Sequence, residues 1–205
     1  RGLGDVYKRQ IKYLQNNTRL NKLVLTETME TPKGVPLALC FTDGTPDTRE
    51  AIIAFKGTTG GDEWSDNVEG AILRDTPDQI EALEFVQGLP YADITLTGHS
   101  KGGNKANYIT ILCDKVTRCV GFDPQGFSQL FLNDPKYSKR IEERASLIKN
   151  YSLSTDFVHI LLYELPGAKQ IFCKGFGVDS TGQHHSPNSF FYTCLLYPSD
   201  AADDA

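Results

Sequence analysis

Hydrophobic positions along the chain fall into two alternating periods. Residues 37–41 form a short apolar run, and Asp43-Gly44 supplies turn chemistry after it, so a strand is expected there. Residues 51–55 are continuously apolar, as in a strand buried on both faces. Over 78–87 the apolar residues recur at 80, 83 and 86, with Ala82 and Phe85 beside them; this is helical spacing, and Thr76-Pro77 is a start signal. Residues 93–97 read as a strand rich in β-branched residues. Residues 103–114 read as a helix with Ala106, Ile109 and Cys113 on one stripe. A strand at 118–122, an amphipathic charged helix at 137–149, and strands at 150–154 and 169–172 follow. Strands alternate with helices, which predicts an α/β fold: a mostly parallel sheet with helices on both faces. In such sheets ligands bind beyond the carboxyl ends of the strands, so chemistry is sought just after each strand.

Composition narrows the class. The 205 residues are 40% hydrophobic and 23% charged with a formal net charge of −5, ordinary for a globular domain. Without a Lys/Arg block, nucleic acid is not an expected partner. No apolar run reaches the roughly 18–20 residues of a membrane-spanning helix. Both ends read as foreign. Val6-Tyr7-Lys8-Arg9-Gln10 can be encoded by GTG TAT AAG AGA CAG, whose reverse complement, shifted by one base, begins TGT CTC TTA TAC and encodes Cys194-Leu195-Leu196-Tyr197. Residues 1–10 and 194–205 are therefore expected to be translated sequencing adapter, and 11–193 a single domain truncated at both sides. Within it stand Cys40, Cys113, Cys119 and Cys173, with no C-x-x-C pair; no zinc or redox site is expected, and sparse cysteine suits a reducing, cytoplasmic setting.

The chemistry centres on Gly98-His99-Ser100-Lys101-Gly102, a G-x-S-x-G match with a strand before it and a helix after it. A nucleophilic serine on a sharp strand-to-helix turn requires glycines at the flanking positions, where side chains would collide. Gly98 to Gly103 also has the spacing of a phosphate-binding loop, but Asn104 follows where Lys-Ser/Thr is required.

Three segments give the chain a resemblance to the lipase class 3-like α/β-hydrolases, especially a bacterial branch of them. Ala54-Phe55-Lys56-Gly57-Thr58 resembles the Phe-Arg-Gly-Thr/Ser loop, with Lys56 where arginine is usual. Glu63-Trp64-Ser65-Asp66-Asn67 resembles the following Trp-x-Asp-Asn stretch. Gly98 to Asn104 resembles the elbow, and weaker echoes lie at 122–127 and at His185-Ser186-Pro187. The resemblance implies an oxyanion hole from Thr58 and the backbone N–H of Lys101.

A serine hydroxyl needs a base, and the order in α/β-hydrolases is Ser, then Asp or Glu, then His. His184 and His185 lie in a Gly-, Ser- and Pro-containing loop after the last strand; His185 fits the family's His-x-Pro pattern and is preferred. His159 sits in an apolar run and reads as packing, and His99 reads as structural. Asp156 follows the strand at 150–154 and is the preferred acid, with Asp123 as the alternative. The expected activity is hydrolysis of carboxylic esters, lipid or acyl by resemblance, with no metal or organic cofactor. The alternatives are a hydrolase-fold binding protein without turnover, or another acyl-transfer enzyme such as a thioesterase, peptidase or acyltransferase. Phe127, Leu130, Phe131 and Leu132 are expected to form either a lid over the site or a core helix.

Overall fold

The computed structural model describes residues 12, 15–17, 20–57, 73–158, 161–175 and 185–190. Seven strands form one sheet in chain order: β1 (Val24–Glu30), β2 (Pro36–Thr42), β3 (Glu50–Phe55), β4 (Asp93–His99), β5 (Val116–Phe122), β6 (Ile148–Leu153) and β7 (Lys169–Cys173). β1, β2 and β3 pair antiparallel, and every pairing from β3 to β7 is parallel. The helices are α1 (Pro77–Gly88), α2 (Lys101–Leu112), the short α3 (Gln129–Leu132) and α4 (Pro135–Arg144), with a 3-10 turn at Ala145–Leu147 and another at Pro187–Phe190. Among the described residues no helix is long and apolar enough to cross a membrane.

Register explains the core. Ile53, Leu96, Cys119 and Ile148 sit side by side on β3 to β6, and all four are fully buried. Each aliphatic side chain of that row stabilises the fold by about 1.5–3 kcal/mol. α2 covers this row, and α1 and α4 pack against α2. The alternate positions are wetter: Ile52 is exposed and Thr95 and Val120 are half-buried. β3 thus alternates between buried and more exposed positions, although its sequence is apolar from Ala51 to Phe55.

Local chemistry fixes the helix ends. The Thr76 side chain accepts from Gln79 N–H while Gln79 Oε1 accepts from Thr76 N–H at 2.8 Å, a reciprocal cap, and Pro77 opens α1. α4 stops at Arg144, short of the expected 149. The reason is the pull of two neighbours: Arg144 donates to the carbonyls of Thr110 and Cys113 at the end of α2 and of Val116 at the start of β5, and Ile148 is already in the sheet beside Cys119. β1 was not expected, since of its seven residues only Met29 is buried and no period shows.

The Phe127–Leu132 region resolves as core, not lid. Phe131 is fully buried, stacked between Phe127 and Tyr137 at ring distances of 4.8 Å on each side, and its ring lies 5.5 Å from Tyr108 of α2. Leu130 alone of the four is strongly exposed.

Arg144 ties α4 to α2 through charge-assisted bonds, with its side chain 13% exposed. Arg144→Met keeps the stem and orphans three carbonyls, so it is expected to lower stability by about 2–4 kcal/mol. Urea denaturation with an unchanged m-value reads this out.

Candidate active site

The turn between β4 and α2 carries Ser100. Its backbone is at φ 59° and ψ −126°, a region disfavoured for residues with a Cβ. Three bonds hold it there: Ser100 N–H donates to the Phe122 carbonyl at 3.0 Å, and the Ser100 carbonyl accepts from Asn104 N–H at 3.1 Å and from Gln125 N–H at 3.4 Å. The flanking glycines permit the fold-back. A Cβ on Gly98 would lie 2.4 Å from the Gly102 backbone, and one on Gly102 would lie 2.3 Å from the Phe55 carbonyl oxygen. Gly103 packs against Pro124 in the same way. Ser100 is half-buried, and Lys101 opens the helix behind it.

Asp156 and His185 meet although 29 positions separate them. Asp156 follows β6, is buried, and receives a hydrogen bond from His185 Nδ1 at Oδ1, 2.9 Å away. The His185 side chain is 20% exposed and the Asp156 side chain 0%. The ring of His185 packs on that of His99 at 4.5 Å, and so lies at the elbow, one residue from Ser100.

Asp123 follows β5 and joins the same group. It is fully buried, at φ 42°, and its Oδ1 accepts from Leu153 N–H at 2.8 Å. One side-chain atom each from Asp123, His99 and His185 lies within 4.8 Å of the other two. Burial, then the nearby charge of Asp156, pushes the Asp123 carboxyl up to about 8 despite the Leu153 bond. Burial, with the neighbouring His185, lowers His99 to about 4, although Asp156 and the His185 backbone pull the other way.

Thr58, Trp64, His159 and His184 lie outside the described residues, as do the 1–10 and 194–205 segments. β3 ends at Phe55, and Gly57 after it approaches the His99 carbonyl so closely that a Cβ would stand 2.7 Å away. Gly57, the last described residue before Thr58, thus lies beside the elbow.

One contributor escaped sequence reasoning. Asn104 figured as a mismatch to a phosphate loop and as the last residue of the elbow resemblance, with no role of its own. Its Oδ1 accepts from Gln79 Nε2 at 2.7 Å, and its Nδ2 donates to the carbonyls of Gln125 and Gly126. It joins α1, α2 and the loop that begins at Asp123. A single buried Asn in a helix stripe gives no sequence signal for that. A cleft of about 180 Å³ opens beside it, lined by Lys101, Arg74, Gln79, Phe127 and Leu162 among others.

Strand order, the strained serine turn and acidic groups beyond β5 and β6 together define an α/β-hydrolase fold. The family model for the phospholipase-like, Tle-like phospholipase domain matches residues 7–183, and the chain belongs to that family. No curated protein matches the chain. Similar solved structures include the M37 lipase, 13% identical with a TM-score of 0.46, covering 78% of this chain and 63% of that one. The native Rhizomucor miehei lipase propeptide complex is 13% identical with a TM-score of 0.41, over 78% and 60% of the two chains. A CIB-like hydrolase from Thermoplasma acidophilum is 16% identical with a TM-score of 0.42, over 82% and 94%. The chain therefore spans less than two thirds of the length of those two lipases.

Two predictions follow from this geometry. Gly102→Ala forces its methyl into the Phe55 carbonyl, and should cost about 3 kcal/mol, read by thermal unfolding. The second concerns pH. Asp123 titrates near 8 in the folded chain and near 3.9 unfolded, so the stability it gives at low pH is lost as pH rises from about 4 to 8. His99 titrates near 4 folded and near 6.5 unfolded, so its contribution is present above 6.5 and lost as pH falls to 4. The two slopes oppose each other below pH 6.5. Between 6.5 and 8 only that of Asp123 remains, so stability should fall there by up to about 1.4 kcal/mol per pH unit. Asp123→Asn should abolish that fall. Urea midpoints across pH 5–9 measure both slopes.

Proposed function

We propose that the protein is a serine hydrolase that cleaves carboxylic esters of lipid or acyl type through an acyl-enzyme. Ser100 Oγ attacks the ester carbonyl. His185 takes the serine proton and returns it to the leaving alcohol, then activates the water that releases the acid. Asp156 holds the imidazole in the required tautomer and stabilises the imidazolium. The backbone N–H of Lys101, together with Thr58, is assigned to stabilise the developing oxyanion, each donor worth about 10²–10³ in rate.

The observation that carries this reading is the 2.9 Å bond between His185 Nδ1 and Asp156, with the His185 ring packed at the turn that exposes Ser100. That bond leaves Nε2 as the nitrogen to serve the serine. Asp156, rather than Asp123, is the proposed acid because it is the one bonded to Nδ1. Membership of a phospholipase-like family turns the proposed substrate toward phospholipid, and the cleft beside Lys101 offers room for part of one. Residues 11–193 are proposed to act as one domain.

A fluorophosphonate probe should label the folded protein at Ser100, and Ser100→Ala should abolish labelling. Asp156→Asn should lower kcat by about 10³–10⁴ with folding intact. Phosphatidylcholine vesicles and p-nitrophenyl esters of graded chain length, assayed side by side, define the substrate. Folded protein that neither labels nor hydrolyses any ester would mark a binding module, and faster turnover of a thioester or amide would move the reaction to another acyl-transfer class.

A further inference from the structure

Two carboxyl groups, both buried, converge beneath one imidazole. Asp156 spends Oδ1 on His185. Asp123 spends Oδ1 on Leu153 N–H, and its Oδ2 is fully buried with no donor reaching it among the described residues. Asp156 Oδ1 lies 2.9 Å from His185 Nδ1, and a carboxylate oxygen of Asp123 lies within 4.8 Å of a ring nitrogen of the same imidazole. An ionised Asp123 would therefore leave a buried, unsatisfied carboxylate oxygen beside a second buried carboxylate, out of contact with water. The backbone does not let it turn away. Asp123 is held at φ 42°, with its N–H donated to the Tyr151 carbonyl at 2.8 Å. A left-handed non-glycine residue so over-determined is the kind of strain that clusters at functional sites.

Taking the serine-hydrolase reading as its base, we propose that Asp123 is a positioning residue: a neutral carboxylic acid whose Oδ2–H donates to the Asp156 carboxylate and holds that carboxylate on His185 Nδ1. One proton satisfies the orphan oxygen and removes the repulsion between the two acids. It also gives Asp156 a charge-assisted bond, roughly twice as strong as a neutral one. Three titratable groups face Asp123 from other elements: His99 from β4, Asp156 from beyond β6 and His185 from the last described turn. Burial lowers the His99 imidazole and so disfavours a positive charge there beside the two acids. The Asp156 charge is the one an imidazolium at His185 would meet. The upward push that burial and Asp156 give the Asp123 carboxyl acts in the direction the geometry demands.

The test uses the full chain and two readouts. Infrared difference spectra should show a protonated carboxyl band at pH 6.5 that is missing in Asp123→Asn and that titrates away around pH 8. In Asp156→Asn, with the neighbouring charge gone, the midpoint of that titration should drop by about one pH unit or more. For p-nitrophenyl butyrate hydrolysis, Asp123→Ala should lower kcat by about 10²-fold with KM nearly unchanged. Asp123→Asn, which keeps an acceptor for Leu153 and an N–H donor for Asp156, should restore most of that loss and should lack the alkaline decline of the wild type. Absence of the Asp123 band overturns the proposal. So does an Asp123→Asn protein, folded, that is as impaired as Asp123→Ala, because the carboxylate itself would then be needed. A folded Asp123→Ala protein with wild-type kcat overturns it too. Equal hydrolysis by Ser100→Ala would instead sink the serine-hydrolase reading, and the infrared titration would still decide whether Asp123 holds its proton against Asp156.

Discussion

Ser100 sits in a backbone conformation that costs about 1–3 kcal/mol for a residue with a Cβ, and neighbouring strand ends are arranged around it. The turn cannot relax alone. Its N–H is tied to the end of β5 and its carbonyl to Asn104 in α2, so a shift in φ breaks a bond on either side. The glycine contacts extend the constraint outward. Gly102 lies against the Phe55 carbonyl, which fixes the end of β3, and Gly103 lies against Pro124, which fixes the loop that starts at Asp123. One strained residue thereby sets the heights of three strand ends, and the residues that follow those strands inherit their positions from it.

Polar ties carry the same constraint into the helices. Gln79 caps its own helix with Oε1 and reaches Asn104 with Nε2, so the first turn of α1 and the second turn of α2 are joined by one side chain. Asn104 then holds two carbonyls of the loop after β5. Buried amides of this sort stabilise only when every group is paired. Here their placement matters more than their number, since they bind the helix behind Ser100 to the segment behind Asp123. The aromatic stack of Phe127, Phe131 and Tyr137 gives that segment its apolar anchor, which is why those phenylalanines are spent on the core.

Much of the sheet was legible in the sequence because β2 to β6 bury one face, and their apolar residues recur in strand-length runs between Gly, Pro and Asp turns. β1 was not legible: as an antiparallel edge strand it hides one side chain, so burial imposes no pattern. The end of α4 was misjudged because the helical spacing of Tyr137, Ile141, Ala145 and Ile148 continues past Arg144, while tertiary bonds to α2 and the pull of the sheet on Ile148 end it. For the site, the five-residue motif told where strain would be needed, and chain order told which loops would carry acid and base. It could not weigh Asp123 against Asp156 by more than their order. In parallel neighbours with Phe122 beside Tyr151, both acids emerge at the same end of the sheet, and only the fold assigns His185 Nδ1 to one of them. His99 was read as structural, and its ring lies on His185, a contact made across 86 residues of chain that no local pattern encodes.

A buried acid, a half-buried imidazole and a strained serine all work against the folded state, and all three occupy one end of the sheet. The opposing weight lies elsewhere in the same strands. Ile53, Leu96, Cys119 and Ile148 close the middle of β3 to β6 without a polar atom except the Cys119 thiol, which burial pushes up to about 12 and which therefore stays neutral. This separation has a mechanical consequence. Changes at Gly98, Gly102, Asn104 or Asp123 alter stability and site geometry together. At those positions a substitution that relieves the strain would also release the atoms the strain holds in place, so gains in stability there would come at the expense of order around Ser100.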